Sequence, residues 1–209
     1  MILMILHLMM GIFQLFAGDI GAGGKPEDFL VIRKDNGMEL AERWVKSEGK
    51  TDRREVRIVM TVSTDPANFL RTLMDENMGR AWNVNSTDYR IMITGKDKWI
   101  SYIQYDLPFP LSDRACYFTN HSISYGDKMM VYFKSSHSDI FPHDANYEKI
   151  TGLEGKWILQ REGRHYILSY HIISVPDKSL PRWIVDPVIR KNLWKSMENL
   201  RAILEKNTT

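Results

Sequence analysis

The strongest constraint on the fold is a run of alternating segments, divided by short polar reversals, that ends in one long amphipathic helix. In Arg54 to Ser63 (REVRIVMTVS), Val56, Ile58, Met60 and Val62 fall on one face, the period of a half-buried strand. Met38 to Lys46 alternates more loosely, and the connection EGKTDR with Gly49 predicts an antiparallel hairpin between the two. Thr64 or Asp65 before Pro66 starts a helix whose Phe69, Leu70, Leu73 and Met74 recur at helical spacing through Asp75. A second helical turn follows from Met78 to Trp82, kept short by Gly79.

Strands are then predicted at Asp88 to Thr94, Trp99 to Asp106, Ala115 to Ile123 and Lys128 to Ser135, with reversals at Gly95-Lys96-Asp97 and Tyr125-Gly126-Asp127. Two more, Gly155 to Gln160 and Tyr166 to Val175, flank Glu162-Gly163. From Pro181 to Lys206 the residues Val185, Val188, Ile189, Leu193, Met197, Leu200 and Leu204 form one stripe, with Arg190, Lys191, Lys195, Glu198 and Arg201 mostly off it. Pro187 breaks a helix interior, so the spacing predicts a short turn up to Val185 and a long helix from Pro187 capped by Asp186. Helices set apart from consecutive antiparallel strands make an α+β fold in which a curved antiparallel β-sheet wraps a long C-terminal α-helix.

A chain of 209 residues suits one domain. A formal charge of +2 gives no electrostatic case for nucleic acid. The one cysteine, Cys116, excludes an internal disulfide and a multi-cysteine metal site. Residues 1–24 stand apart: MILMILHLMMGIFQLFAG is nearly all apolar and small residues follow, so the segment reads as a secretory signal peptide or a membrane anchor. No Lys or Arg precedes the apolar run and His7 interrupts it, which departs from the usual signal pattern. Residues 25–209 carry the fold. Cleavage implies export to a periplasmic or extracellular space, and retention implies a membrane anchor.

The stretch YDLPFPLSDR, Tyr105 to Arg114, fits no ordinary turn. Pro108 and Pro110 stiffen the chain around Phe109, and Arg114 offers a fork of donors that can pin the loop to the strand it leads into. Taken with GKWILQREGRHYILSYHI and SLPRWIVDPVIRKNLWKSMENLRAIL, the segment PFPLSDRACYFTNH resembles the START (StAR-related lipid transfer) family. The matched blocks run in order from about Glu39 to Leu204. The resemblance implies a helix-grip fold and an internal cavity for a hydrophobic small molecule, lipid or sterol-like; transient membrane contact, a monomeric state, and no metal or cofactor are further expectations. Two departures matter. Ala115 stands where the family has an acid after the arginine, leaving Asp113 or Asp106 as carboxylate partner. Gln104 and Asn120 fall near the places where lipid-binding members carry a buried acid and arginine, and an amide pair suits hydroxyl or carbonyl groups.

The resemblance makes Trp82, Trp99, Tyr102, Gln104, Asn120, Tyr132, Trp157, Tyr170, Val185, Ile189 and Leu193 the cavity candidates, although strands also use aromatics as core filling. Pro108, Pro110, Asp113 and Arg114 are the structural motif. The chain contains no G-x-S-x-G, P-loop or dinucleotide fingerprint, so the expectation is a carrier or sensor gated by the C-terminal helix with Ser124 to Asp127 or Phe141 to Tyr147. The alternative is a cyclase, isomerase or hydrolase of the same broad fold using His121, His171 or a buried tyrosine on a polyketide- or steroid-like substrate. A membrane-tethered protein-binding module is a third reading. His137, Asp139, His143 and Asp144 match no standard zinc or iron spacing, and His121, His165 and His171 read as hydrogen-bonded strand residues.

Overall fold

A computed structural model of the chain describes residues 29–45, 53–109, 111–138, 140–141, 147–175 and 181–206. Among these the strands are β1 (Leu30–Asp35), β2 (Met38–Val45), β3 (Arg53–Val62), β4 (Ser86–Gly95), β5 (Lys98–Tyr105) and β6 (Arg114–Tyr125). They continue with β7 (Lys128–Ser136), β8 (Glu148–Lys149), β9 (Glu154–Glu162) and β10 (His165–Ser174). The helices are α1 (Pro66–Met74), α2 (Glu76–Trp82) and α3 (Arg182–Lys206). The strands form one curved sheet in the order β1-β2-β3-β10-β9-β7-β6-β5-β4, with β8 pairing to β6 in parallel. The expected hairpin of β2 with β3 and the meander from β4 through β7 are both present.

Strand β1 is an addition to the sequence reading. It pairs with β2 across Asn36-Gly37, both in the left-handed region at φ 49° and 69°. Asn-Gly supplies that geometry for a two-residue hairpin at low cost. Asp65 caps α1 by accepting from Asn68 N at 2.9 Å, and Asp75 caps α2 by accepting from Met78 N at 2.8 Å, so α2 starts ahead of Met78.

The closing helix departs from expectation. It is continuous from Arg182, with Pro187 inside it. Pro187 lies little more than one turn from the start, where most N–H groups lack intrahelical partners, so the proline removes a single ladder bond, to the Trp183 carbonyl. Asp186 is not its cap but a buried ion-pair residue, 8% exposed. The buried face contains Asp186, Trp194, Ser196, Met197, Leu200 and Leu204, while Ile189 is 41% exposed and leaves the expected stripe. No described helix is long and apolar enough to cross a membrane. Residues 1–24, with the signal or anchor reading, lie outside the described residues, as do Pro110, Asp139, His143 and Asp144, and His137 is exposed.

Met38, Leu40, Val56, Ile58, Met60, Phe69, Trp99, Trp157 and Leu168 form the main core with Met197, Leu200 and Leu204 of α3. Burial of each of the last three contributes about 1.5–3 kcal/mol. The C-terminal half of α3 is therefore anchored by apolar contact against the concave face. Asn68 Nδ2 adds a hydrogen bond of 3.1 Å to the Leu204 carbonyl near the helix end.

Candidate ligand-binding site

In an antiparallel sheet, directly opposed residues point to the same face. Trp99 opposes Asn120, Asn120 opposes Phe133, Phe133 opposes Gly155, and Tyr170 opposes Trp157, so these side chains share the concave face with α3. Gly155 is required there: a Cβ would meet the His171 carbonyl at 2.1 Å and the Phe133 ring at 2.4 Å. That close approach explains the glycine of the G-x-W strand.

The aromatics form a connected lane. Trp82 meets Trp157 edge-on at 5.8 Å, Trp157 lies 4.1 Å from Tyr170, and Tyr170 stacks on Phe133 at 5.6 Å. Polar groups are few. Asn120 Nδ2 donates to Ser101 Oγ at 3.0 Å, to the Phe118 carbonyl at 3.0 Å and to the Trp99 carbonyl at 3.3 Å, which fixes its amide in place. Trp82 is buried and its Nε1–H has no hydrogen-bond partner among the described residues. Burial pushes the Tyr170 phenol up, and it pushes the Tyr105 phenol well up with help from Tyr170 and Cys116 nearby. Both rings nevertheless keep accessible surface. Tyr170 packs against the core cluster on this face, and Tyr105 Oη donates to Asn83 Oδ1 at 3.1 Å. Leu193 packs partly against the same cluster, and Val185 and Val188 are half-buried on the N-terminal half of α3.

Not all the expected lining residues meet there. Tyr102 opposes Tyr117 and Arg90, Gln104 opposes Ala115, and Tyr132 opposes His121 and Lys156, which puts all three on the convex face. Gln104 and Asn120 therefore stand on opposite faces, because even-numbered residues of β5 oppose odd-numbered residues of β6 in this register. Tyr102 belongs to a separate cluster with Ala115, Tyr117, Phe141 and Tyr147. A cavity of about 10 Å³, room for one water, lies beside that cluster between Ala115, Tyr117, Ser136 and Ile150. The enzyme alternative loses His121 and His171 as concave-face residues, since both point outward and His171 is held by Glu55 at 3.0 Å.

The proline-rich loop is pinned from two sides. Asp113 Oδ1 accepts from Leu107 N at 3.0 Å, and Arg114 pairs with Glu148 on β8 at 2.7 Å. The short parallel strand β8, which carries no strong sequence signal, brings Glu148 alongside Arg114. Phe109 is 97% exposed at the loop tip. Of the expected gate segments, Ser124 to Asp127 joins β6 and β7 at the sheet end away from the start of α3, while Phe141 covers convex-face rings.

The sequence reading missed a cluster of ions at the start of α3. Asp186 accepts from Arg54 at 2.8 Å and from Arg182 at 2.8 Å. Glu42 is paired with Arg54 and accepts two bonds from Arg190, at 2.9 and 2.8 Å. Glu42, Arg54 and Asp186 are all less than 9% exposed. Burial alone would raise the Glu42 carboxyl, but the Arg190 and Arg54 guanidiniums hold it below its ordinary range. Glu42 and Arg54 sit where apolar residues continue the alternation of β2 and β3, and that break in pattern was the available signal.

No family model and no curated protein matches the chain. Solved structures do. A STAR-related lipid transfer protein from Xanthomonas axonopodis superposes with a TM-score of 0.72 at 19% identity, covering 85% of this chain and 98% of its own. Human StAR-related lipid transfer protein 5 gives 0.68 at 12% identity, covering 99% and 97%. The Zhui aromatase/cyclase from Streptomyces gives 0.51 at 13% identity, covering 75% and 96%. With its curved antiparallel sheet and closing C-terminal helix, the chain has the helix-grip fold of the StAR-related lipid transfer domains.

Proposed function

We propose that the protein binds and carries one hydrophobic small molecule, a lipid or sterol-like compound, in the recess between α3 and the concave face. The observation that carries this reading is the buried Trp82 N–H, unpartnered among the described residues, on an aromatic concave face where Tyr170 is only half-buried. An apolar pocket with a few fixed polar groups suits a largely hydrocarbon ligand bearing a hydroxyl or carbonyl. Lipid-transfer proteins among the structural neighbours support the same class of ligand.

The N-terminal half of α3 acts as the gate. Trp183 at 78%, Phe109 at 97%, Val175 at 48% and Trp44 at 44% exposure stand at the sheet end where α3 begins, and they form the surface that touches a membrane during loading. Carriage follows export, with residues 1–24 removed, and the carrier works as a monomer. A catalytic use of the recess would need an acid or base there, and the Tyr170 phenol, raised by burial, would serve as an acid and not as a base.

Native mass spectrometry of the purified protein, with solvent extraction of the bound species, tests the reading. One hydrophobic molecule per chain is the expected result. A bare chain mass, persisting after incubation with mixed-lipid vesicles, overturns it.

A further inference from the structure

The convex face bears a second pattern that ligand carriage does not use. Cross-strand register lines up Lys98, His121, Tyr132, Lys156, His171 and Arg57 in one row across the sheet. Adjacent strands lie about 4.8 Å apart, so the row is about 24 Å long. Two residues further along the strands, about 6.6 Å away, runs a parallel row of Ile123, Met130, Ile158, Ser169 and Val59. Ile123 is 41% exposed, and the other four are partly exposed.

The basic row is only partly neutralised. Glu55 takes His171 at 3.0 Å and Glu39 takes Arg57 at 3.3 Å. Lys98, His121 and Lys156 have no ion-pair partner among the described residues. Lys156 is the centre of the unmet charge: burial holds its ammonium below the ordinary lysine range, Glu55 opposes that, and Lys128 and Arg43 add repulsion. An anion laid over Lys156 would relieve both costs.

We propose that this double row docks an acidic amphipathic helix of a protein partner. Carboxylates at i, i+3 and i+4 on a helix are about 5–6 Å apart, close to the strand spacing of the basic row. An apolar stripe beside them would cover the isoleucine row, the helix-on-surface mode of peptide recognition. Nucleic acid would leave the apolar row uncovered, and bilayer headgroups reach the half-buried Lys156 less readily than a side chain laid on the sheet.

The test is fluorescence anisotropy on the full chain with a labelled helical peptide of roughly 18 residues, about 27 Å long. The peptide carries one glutamate stripe beside one leucine stripe, and its control has lysine in place of glutamate. The acidic peptide alone should bind, and should bind about tenfold more weakly after Lys98→Glu with Lys156→Glu, or when ionic strength rises from about 0.05 to about 0.3 M. If the reversal pair fails to fold in a thermal melt, Lys98→Gln with Lys156→Gln should still weaken binding about threefold. Equal binding of both peptides, affinity unmoved by the lysine changes, or binding only to phosphatidylserine vesicles or to single-stranded DNA overturns the proposal.

Discussion

Arg54 on β3 and Asp186 on α3, 132 residues apart in the chain, are joined by a guanidinium to carboxylate hydrogen bond of 2.8 Å inside the protein. The bond ties the start of the closing helix to the sheet by charge, where the end of the helix is tied by Met197, Leu200 and Leu204. Pro187 lies next to the ionic attachment and removes the ladder bond that would stiffen it. The two halves of α3 should therefore open separately. Removing one partner of a buried ion pair typically costs about 3–5 kcal/mol, and Asp186→Ala should fall in that range or somewhat below, since Glu42 still holds Arg54. Hydrogen exchange should quicken over residues 182–190 with little change over 194–204. Uniform acceleration along the whole helix would show that α3 moves as one piece.

Acid should loosen the same attachment. The Glu42 carboxyl is held below its ordinary value of 4.5 in the folded chain, despite burial that acts the other way, by Arg190 and Arg54. Glu55 is lowered likewise, burial again opposing, by His171 and Arg43. A carboxylate with a depressed folded pKa stabilises the fold above its unfolded pKa, and that stability is lost as pH falls through the folded value. Urea unfolding should thus show near-constant stability from neutral pH to about 5 and a decline below about 4.5. Glu42→Gln should be less stable at neutral pH and show a shallower decline in acid. An unchanged slope would remove Glu42 from the acid response.

Trp82→Phe separates ligand recognition from packing. A buried donor without a partner costs about 1–3 kcal/mol, so exchanging the indole for a ring without an N–H should leave the empty protein's stability within about 1 kcal/mol, the lost ring volume offsetting the relief. If a ligand oxygen accepts that N–H, lipid retained through purification should fall about fivefold, the loss of one hydrogen bond of about 1 kcal/mol. Full retention with unchanged stability would place the indole N–H outside the ligand contact.

Strand periodicity, the Asp65 cap and the order of elements were legible in the sequence because each is local: alternation, a capping side chain and a tight reversal need no knowledge of the rest of the chain. The meander of β4 to β7 followed from these alone. Register was not legible. Placing Gln104 and Asn120 on one face required the pairing of β5 with β6, and the observed Gln104↔Ala115 alignment sends the glutamine outward with Tyr102. A one-residue difference in register reverses every side chain of a strand, so aromatics in adjacent strands could not be sorted between faces. The ion cluster was hidden for another reason. Glu42 and Arg54 each break an apolar alternation, but Asp186 looks like an ordinary helix charge, and only the tertiary fold brings the three together. Asn36-Gly37 was a visible hairpin signal, and β1 was within reach.

Phe109 offers the sharpest test of membrane contact. A side chain that is 97% exposed at a loop tip contributes almost nothing to the fold, so Phe109→Ser should leave the unfolding free energy within about 0.5 kcal/mol. The tip itself should keep its shape, because Leu111 N still donates to the Pro108 carbonyl at 3.0 Å and Asp113 still accepts from Leu107 N. If the loop inserts into a bilayer interface, the lost aromatic surface removes binding energy of about 1.5–3 kcal/mol, and lipid transfer between vesicles should slow by about tenfold or more. Trp183→Ser should act in the same direction through α3. Equilibrium occupancy of the recess should not change with Phe109→Ser, since the residue stands outside it. Slowed transfer with intact occupancy assigns the tip to docking, whereas transfer at the original rate would mean that the membrane meets the protein elsewhere.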